Sequence, residues 1–387
     1  MDLYLLNSDL QNTEIVERYE SVVWTERFSS LGDVQIVIDP ALAEPGLRTL
    51  GSFLAIKGSE RVMRIESAVE ANAEDGSRKL TVTGSSLECI LDERPNTAWV
   101  VTSSVHAPQT FTNPPATIMR QMFDAVVRNN AFINENIPLL QAQTVVPVTY
   151  AIPEPSASVS VITDVDTLYN TLKNVADVYK IGFRLIRKAD NLLYFDVYTG
   201  FDRTTKQLVL PPMVFSPELD NLSNTSELAS LVALRNVAYV YSPAGSTIVY
   251  RSGSNNQDGF NKRILIVNAS DISLAAGAAL TAALQQRGQE ELAKTVAIYG
   301  FDGQIPQNSS YVYGTHYGLG DLVEQRSTSG ASKIMQVTEQ IFTSDSTGDK
   351  SYPTLIVNSL IAPGSWDALN ASRTWNSYTT ETWNSMT

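Results

Sequence analysis

The chain has 387 residues, 41 acidic and 28 basic, for a formal net charge of −13. That length exceeds one ordinary core and implies roughly two or three domains, while 43% hydrophobic against 18% charged residues is globular rather than disordered composition. The acidity argues against tight binding to a phosphate backbone, which needs clustered cations.

Period-two alternation marks strands in about the first hundred residues. Val34, Ile36 and Ile38 alternate with Gln35, Val37 and Asp39. Met63 and Ile65 face away from Arg64 and Glu66, and Leu80 and Val82 away from Lys79, Thr81 and Thr83. Glu44-Pro45-Gly46 reads as a turn, and Glu74-Asp75-Gly76-Ser77 as a hairpin tip. Short strands with regular turns suggest a barrel or sandwich.

The pattern then changes. Pro114-Pro115 opens a helical face of Ile118, Met119, Met122, Phe123, Val126 and Val127. Thr163 and Asp166 resemble a capping-box variant ahead of a second helix carrying Leu168, Leu172, Val175 and Val178, which Gly182 is expected to end. Residues 183–186 and 192–198 read as a hairpin. Strand signals return at 207–215, 237–241, 263–267 and 333–341, interrupted by a helix over 271–294. That helix has an Ala-rich face (Ala275, Ala276, Ala278, Ala279, Ala282, Ala283) suited to close packing on a sheet, and Gly277 and Gly288 mark a kink or an end. The expected organisation is a first β domain over 1–105, an α+β insert over 106–210, a second β domain with one helix over 211–362, and a polar extension over 363–387. The extension carries Trp366, Trp375 and Trp383, the last two within a repeated Thr-Trp-Asn-Ser. Docking of these indoles on another chain is the preferred reading, and folding back on their own domain is the alternative.

Motifs for chemistry are scarce. Cys89 is the only cysteine, which excludes an internal disulfide and an all-cysteine zinc site. His106 and His316 are the only histidines and read as structural. Phosphate-loop, nucleophile-elbow and zinc-protease motifs are absent from the sequence. Gly318-Leu319-Gly320 opens like a dinucleotide fingerprint, but Val323 stands where its third glycine belongs, so these glycines read as a turn or bulge. Arg61 and Arg64, beside Glu60 and Glu66, read as surface or rim charges. No catalytic residue, cofactor or metal is assigned. The start has no basic or long apolar segment, and 264–284 is too interrupted to span a membrane. A soluble protein of a cytosol-like compartment, without stable membrane binding, is expected.

Several blocks, in order, resemble one family. They are Trp24-Thr25-Glu26-Arg27-Phe28 running to Gly32, Lys79-Leu80-Thr81-Val82-Thr83-Gly84 with Arg94 downstream, and Tyr198-Thr199-Gly200-Phe201-Asp202-Arg203-Thr204. Then come Phe215-Ser216-Pro217-Glu218 with Asp220-Asn221, Asn236-Val237-Ala238-Tyr239-Val240, and Tyr317-Gly318-Leu319-Gly320-Asp321-Leu322-Val323. With the β–insert–β plan and the Thr-Trp-Asn-Ser tail, the chain resembles the Gp37-like minor tail proteins of siphophages that infect actinobacteria, relatives of baseplate-hub proteins.

The resemblance implies a mainly β fold, with two tube-type β-barrels and the α+β insert as accessory domain. It implies a homotrimeric ring at the tail tip, assembled in the host cytoplasm, that continues and closes the tail tube and lets phage DNA pass. The implied partners are distal tail or tube proteins, the tape-measure protein, and other tip or fibre proteins. The expected roles are structural. Trp24 and Phe28 anchor the first barrel core, and Gly32 and Gly84 supply turns or close approaches. Gly318, Gly320 and Asp321 form a turn feeding the strand at Val323, and Trp366, Trp375 and Trp383 dock on a neighbour. A tail-associated cell-wall hydrolase and a glycan-binding adhesin are the alternatives.

Overall fold

The computed structural model describes residues 1–72, 78–100, 105–141, 148–163, 166–251, 258–272, 274–295, 297–304, 311–326 and 332–357. The chain is mainly β. Contacts group it into two compact units, Met1–Ser226 with Asp302–Leu355, and a smaller one built on Glu227–Phe301.

The first unit is organised by one long sheet. Its early strands are β1 (Leu3–Leu6), β2 (Asn12–Val16), β3 (Tyr19–Arg27), β4 (Asp33–Ile38), β5 (Phe53–Ile56), β6 (Met63–Asn72) and β7 (Arg78–Ser86). In space the order runs from the Gly348–Val357 strand to Ser332–Asp345, then β3, β4, β7, β6, β5, β1 and β2. The path is open and ends on β2, and no closed barrel is found among the described residues. The alternation read from the sequence sets the buried face: Val34, Ile36, Ile38, Met63, Ile65, Leu80 and Val82 are all buried with Leu3, Leu54 and Trp24. Each such side chain contributes about 1.5–3 kcal/mol of burial. The hairpin tip expected at 74–77 lies outside the described residues, but Asn72 faces Arg78 across it.

Helices cover a second core in the same unit. Pro114 and Pro115 start the Pro115–Phe123 helix, where their missing N–H groups cost nothing. It continues as a π-helical turn over Asp124–Arg128. The predicted face, Ile118 through Val127, is buried against the Leu168–Tyr179 helix and the Gly182–Arg187/Leu193–Tyr198 hairpin. Phe123 stacks on Phe195 with ring centroids 3.9 Å apart.

Four local expectations are corrected. Thr167, not the Thr163/Asp166 pair, caps the second helix by accepting from the Asn170 amide at 3.1 Å. Thr163 is instead buried and accepts from the Gln109 amide. The helix stops at Lys180, which is left-handed at φ 56°, and Gly182 opens the following strand. Of 207–215 only Val214–Phe215 is strand, because Gln207 folds the preceding residues into side-chain-bonded turns.

The second unit holds a three-stranded sheet, Gly245–Tyr250, Val237–Ser242 and Ile264–Asn268 in spatial order, with the Ala278–Lys294 helix on one face. That helix supplies the fourth correction. It starts at Ala278 rather than 271, after Gly277 at φ 150°, and Ala278, Ala279 and Ala282 are exposed while Ala283 is half-buried. Leu280, Leu284 and Leu292 bury instead, with Gly288 between them. A Cβ on Gly288 would stand 2.6 Å from Val249 Cγ2, so the missing side chain is what permits the close approach.

Candidate functional site

The family-like blocks of the first unit meet at a buried junction. Phe28, just past β3, is 3% exposed and lies edge-on to Tyr198 at a centroid distance of 5.2 Å. It fills the space over Gly182 and Gly320; a Cβ on either would fall 2.4 Å from its ring. The Phe28 amide donates to Thr338 O, and its carbonyl accepts from the Phe183 amide. One aromatic ring thus touches the sheet, the insert hairpin and the 317–323 turn.

Asp321 binds that turn to the 198–204 block. Its Oδ1 accepts from the Phe201 amide at 2.8 Å, and its Oδ2 accepts from the Arg203 Nε at 2.9 Å and from the Gly318 amide at 2.9 Å. The backbones run almost in contact here. A Cβ on Gly200 would sit 2.0 Å from the Gly320 carbonyl carbon, and Gly320 itself has φ +90°. Burial lifts the Asp321 carboxyl above its ordinary range despite these donors. Gly318 differs from Gly320, since a side chain there would meet nothing within 4 Å.

A buried charged cluster adjoins the junction. Arg61, expected at the surface, is only 3% exposed and pairs with Glu88, which is 1% exposed. This is a correction. The partner that neutralises Arg61 lies 27 positions away, on the turn after β7, and not among its sequence neighbours. Arg61 Nη2 also donates to Arg27 O at 2.8 Å, and Glu88 accepts from the Leu185 amide at 2.7 Å. Burial opposes the Arg61 charge, yet Glu88, Tyr198 and Glu26 hold its pKa above the ordinary value. Buried Glu26 accepts from Trp24 Nε1, from Ser59 Oγ and from the Tyr313 hydroxyl. Arg184 lies over the Tyr198 ring at 4.3 Å and pairs with Asp196. Burial pushes both the Tyr198 and Tyr313 phenols up. Arg64, by contrast, bonds the exposed Glu93 and Glu66, near the rim role expected of it.

The other singled-out residues fall as follows. Trp24 is fully buried in the sheet core. A Cβ on Gly32 would lie 2.4 Å from Thr25 O, and one on Gly84 2.1 Å from Arg64 O. Phe215 lies edge-on to Tyr311 and Tyr317, and Asn221 ties its turn by bonding Ser216 N and Val214 O. In the second unit, Asn236 does the same for Arg263 N and Asn261 O. Cys89 is buried, and burial lifts its thiol to about 12. His316 is exposed, and its Nδ1 accepts from the Val312 amide. The side chain of His106 and the residues Trp366, Trp375 and Trp383 lie outside the described residues. Sequence reading missed Glu26, Arg61, Glu88, Gly200 and Arg203. Three of these, Glu26, Gly200 and Arg203, sit inside the quoted blocks, which was the available signal.

This arrangement is built to hold segments together. Every acid in the junction bonds protein donors, and the glycines bring backbones into contact. Separately, a cleft of about 620 Å³ lies among Ile56–Ser59, Tyr311–Tyr313, Phe342 and Asp349–Ser351 of the first unit. No described helix is long and apolar enough to cross a membrane.

No protein of curated function matches the chain. Among solved structures, a tail protein from Neisseria meningitidis MC58 is similar at 13% identity and TM-score 0.55, over 93% of this chain and 97% of that one. The 43 kDa tail protein of prophage MuSo2 from Shewanella oneidensis is similar at 14% identity and TM-score 0.52, over 92% and 98%. The model of the Siphovirus ReqiPepy6 Gp37-like protein family matches residues 2–354. The chain therefore shares the fold of phage tail proteins and belongs to the Siphovirus ReqiPepy6 Gp37-like family.

Proposed function

We propose that the protein is a structural, non-enzymatic subunit of the tail tip. Three copies form a hub ring that continues the tail tube, begins to close it, and passes DNA at ejection. The carrying observation is the long sheet of the first unit, which ends on an exposed edge strand. β2 pairs with β1 alone, and Asn12 to Ile15 are exposed. An open edge of this kind invites pairing unless a neighbour covers it, and closed symmetry is how most oligomers cover such surfaces. Family membership supports the setting. In this reading the β regions on either side of 106–210 supply two tube-type barrels, 106–210 is the accessory domain, and tube, tape-measure and tip or fibre proteins are the neighbours. The net charge of −13 suits a passage through which phosphate backbones slide without sticking.

Light scattering after size exclusion tests the ring. Three chains of 42.4 kDa give about 127 kDa, and microscopy should then show a sixfold outline. A chain that stays monomeric even with tail-tube partners present overturns the ring.

One observation favours a second reading. The cleft beside Tyr311, Tyr313 and Phe342 also offers Lys57, Ser59, Lys350 and Ser351, an aromatic and polar mix suited to a sugar. Host-glycan binding in an array, lost in Tyr311→Ala, would raise the adhesin reading. Clearing of host cell walls in a zymogram would raise the hydrolase.

A further inference from the structure

The sheet of the second unit has one face covered by its helix and, among the described residues, another face that is buried at Val237 and largely exposed beyond it. The helix covers Ala238, Val240, Val249 and Val267. The strand register places the alternate residues together on the other side: Tyr239 faces Ile248 and Ile266, and Val237 faces Tyr250 and Ile264. Tyr241 belongs to the same side. Tyr241, Ile248, Tyr250, Ile264 and Ile266 are 49%, 50%, 53%, 41% and 76% exposed. Scattered apolar residues need no explanation, but a contiguous aromatic and aliphatic patch across three strands marks an interaction surface. Lys262 over the Tyr239 ring at one margin gives the patch a polar rim.

The same chain carries a matching segment. Residues 358–387 follow the Gly348–Val357 strand and bring Trp366, Trp375 and Trp383 within a stretch that is mostly polar from Pro363 onward. Indoles want an apolar surface with room for an N–H partner at its edge. The exposed part of this face, with Tyr241, Ile248, Tyr250, Ile264 and Ile266 and with Lys262 at its edge, is such a surface. Thirty residues reach up to about 100 Å when extended, ample to lie across strands of five or six residues that span only about 20 Å. Tethering decides between this chain and a neighbour. A covalent tether of this length holds the segment at a local concentration of up to about millimolar, above that of a second copy in dilute solution.

We propose that the 358–387 segment docks its tryptophans on the outer face of the Val237–Ser242, Gly245–Tyr250 and Ile264–Asn268 sheet of its own chain. The tail completes a two-sided sheet that the helix covers on one side only. This does not depend on the ring, because it concerns a single chain, and it replaces the neighbour as the first-choice partner for those indoles.

Hydrogen exchange on the full chain and on a chain ending at Val357 is the test. Truncation should speed exchange in 246–250 and 264–268 about tenfold and leave β3 and β4 unchanged. The full-length variant carrying Trp366→Ser, Trp375→Ser and Trp383→Ser should reproduce the effect, which guards against a folding defect of the shortened chain. Ile266→Asp should in turn raise iodide quenching of the tail tryptophans, with fully buried Trp24 as the unquenched reference. Equal exchange in all chains overturns the proposal. Protection that appears only at concentrations where the mass also rises assigns the face to a second copy, and overturns docking on the same chain.

Discussion

The two units are held by different physics. The first adds to its two apolar cores a set of directional contacts between segments far apart in sequence: Asp321 with Phe201 and Arg203, Arg61 with Glu88, and Phe28 over two glycines. The second depends on one apolar face, where Leu280, Leu284 and Leu292 meet Val240, Val249 and Val267. Directional contacts tolerate little change because both partners are fixed. An apolar face can repack, so it loses stability gradually. The prediction is a first unit brittle to single substitutions and a second unit compliant to them.

The sharpest test is Gly200→Ala. Its new Cβ would meet backbone, not a movable side chain, so a loss of about 4 kcal/mol or more, or failure to fold, is expected. Denaturant midpoints of the soluble fraction measure it, and a loss under about 1 kcal/mol would break the contrast. Next comes Glu88→Ala, which leaves the Arg61 charge buried without its partner, for about 3–5 kcal/mol. The double variant Arg61→Met with Glu88→Leu should recover part of that loss, because it removes both buried charges and, with them, Arg61 Nε and Glu88 Oε2, unpartnered among the described residues, but it also strips the Leu185 amide and the Arg27 carbonyl of their side-chain partners.

Gly288→Ala probes the second unit in the same way. Here the added methyl meets the Val249 and Val240 methyls, while helix propensity improves by nearly 1 kcal/mol. A net loss of about 1 kcal/mol is expected, well below that of Gly200→Ala. Two subtler measurements follow. The Asp321 pKa is raised in the folded state by burial, so the folded chain holds this proton more tightly than the unfolded one. Its contribution to stability is full below the unfolded pKa and is lost as pH rises through the folded value. Asp321→Asn should flatten that part of the stability–pH curve. Finally, the Cys89 thiol, pushed up to about 12 by burial, should alkylate only when the first unit opens. Its labelling rate should follow the unfolding rate of that unit and ignore Gly288→Ala.

Sequence pattern revealed what depends on near neighbours. Alternation at 34–38, 63–66 and 79–83 placed strands and their buried faces. The 118–127 face and the proline start placed a helix. What it misjudged depends on remote partners. Arg61 looked solvated because acids flank it, whereas Glu88 sits on another turn. The alanines of the last helix looked like the packing face because small residues can pack closely, but burial followed the leucines and Gly288. Gly182 looked like a helix end because glycine often is one; a left-handed Lys180 took that role. For the junction, the blocks were legible one by one, but their meeting was not. No local pattern says that 28, 182, 200 and 320 share one point in space.

The pairing of β3 with the Ser332–Asp345 strand has a consequence in time. Trp24 lies opposite Phe342, so the sheet cannot be completed until the ribosome has moved about 300 residues on, which at ~5–20 residues per second is on the order of 15–60 s. Until then the outer edge of β3 waits exposed, and pairings of this sequence separation form slowly even afterwards. Synthesis thereby orders assembly. Partly made chains lack the finished sheet, and only a chain translated past Asp345 can complete it.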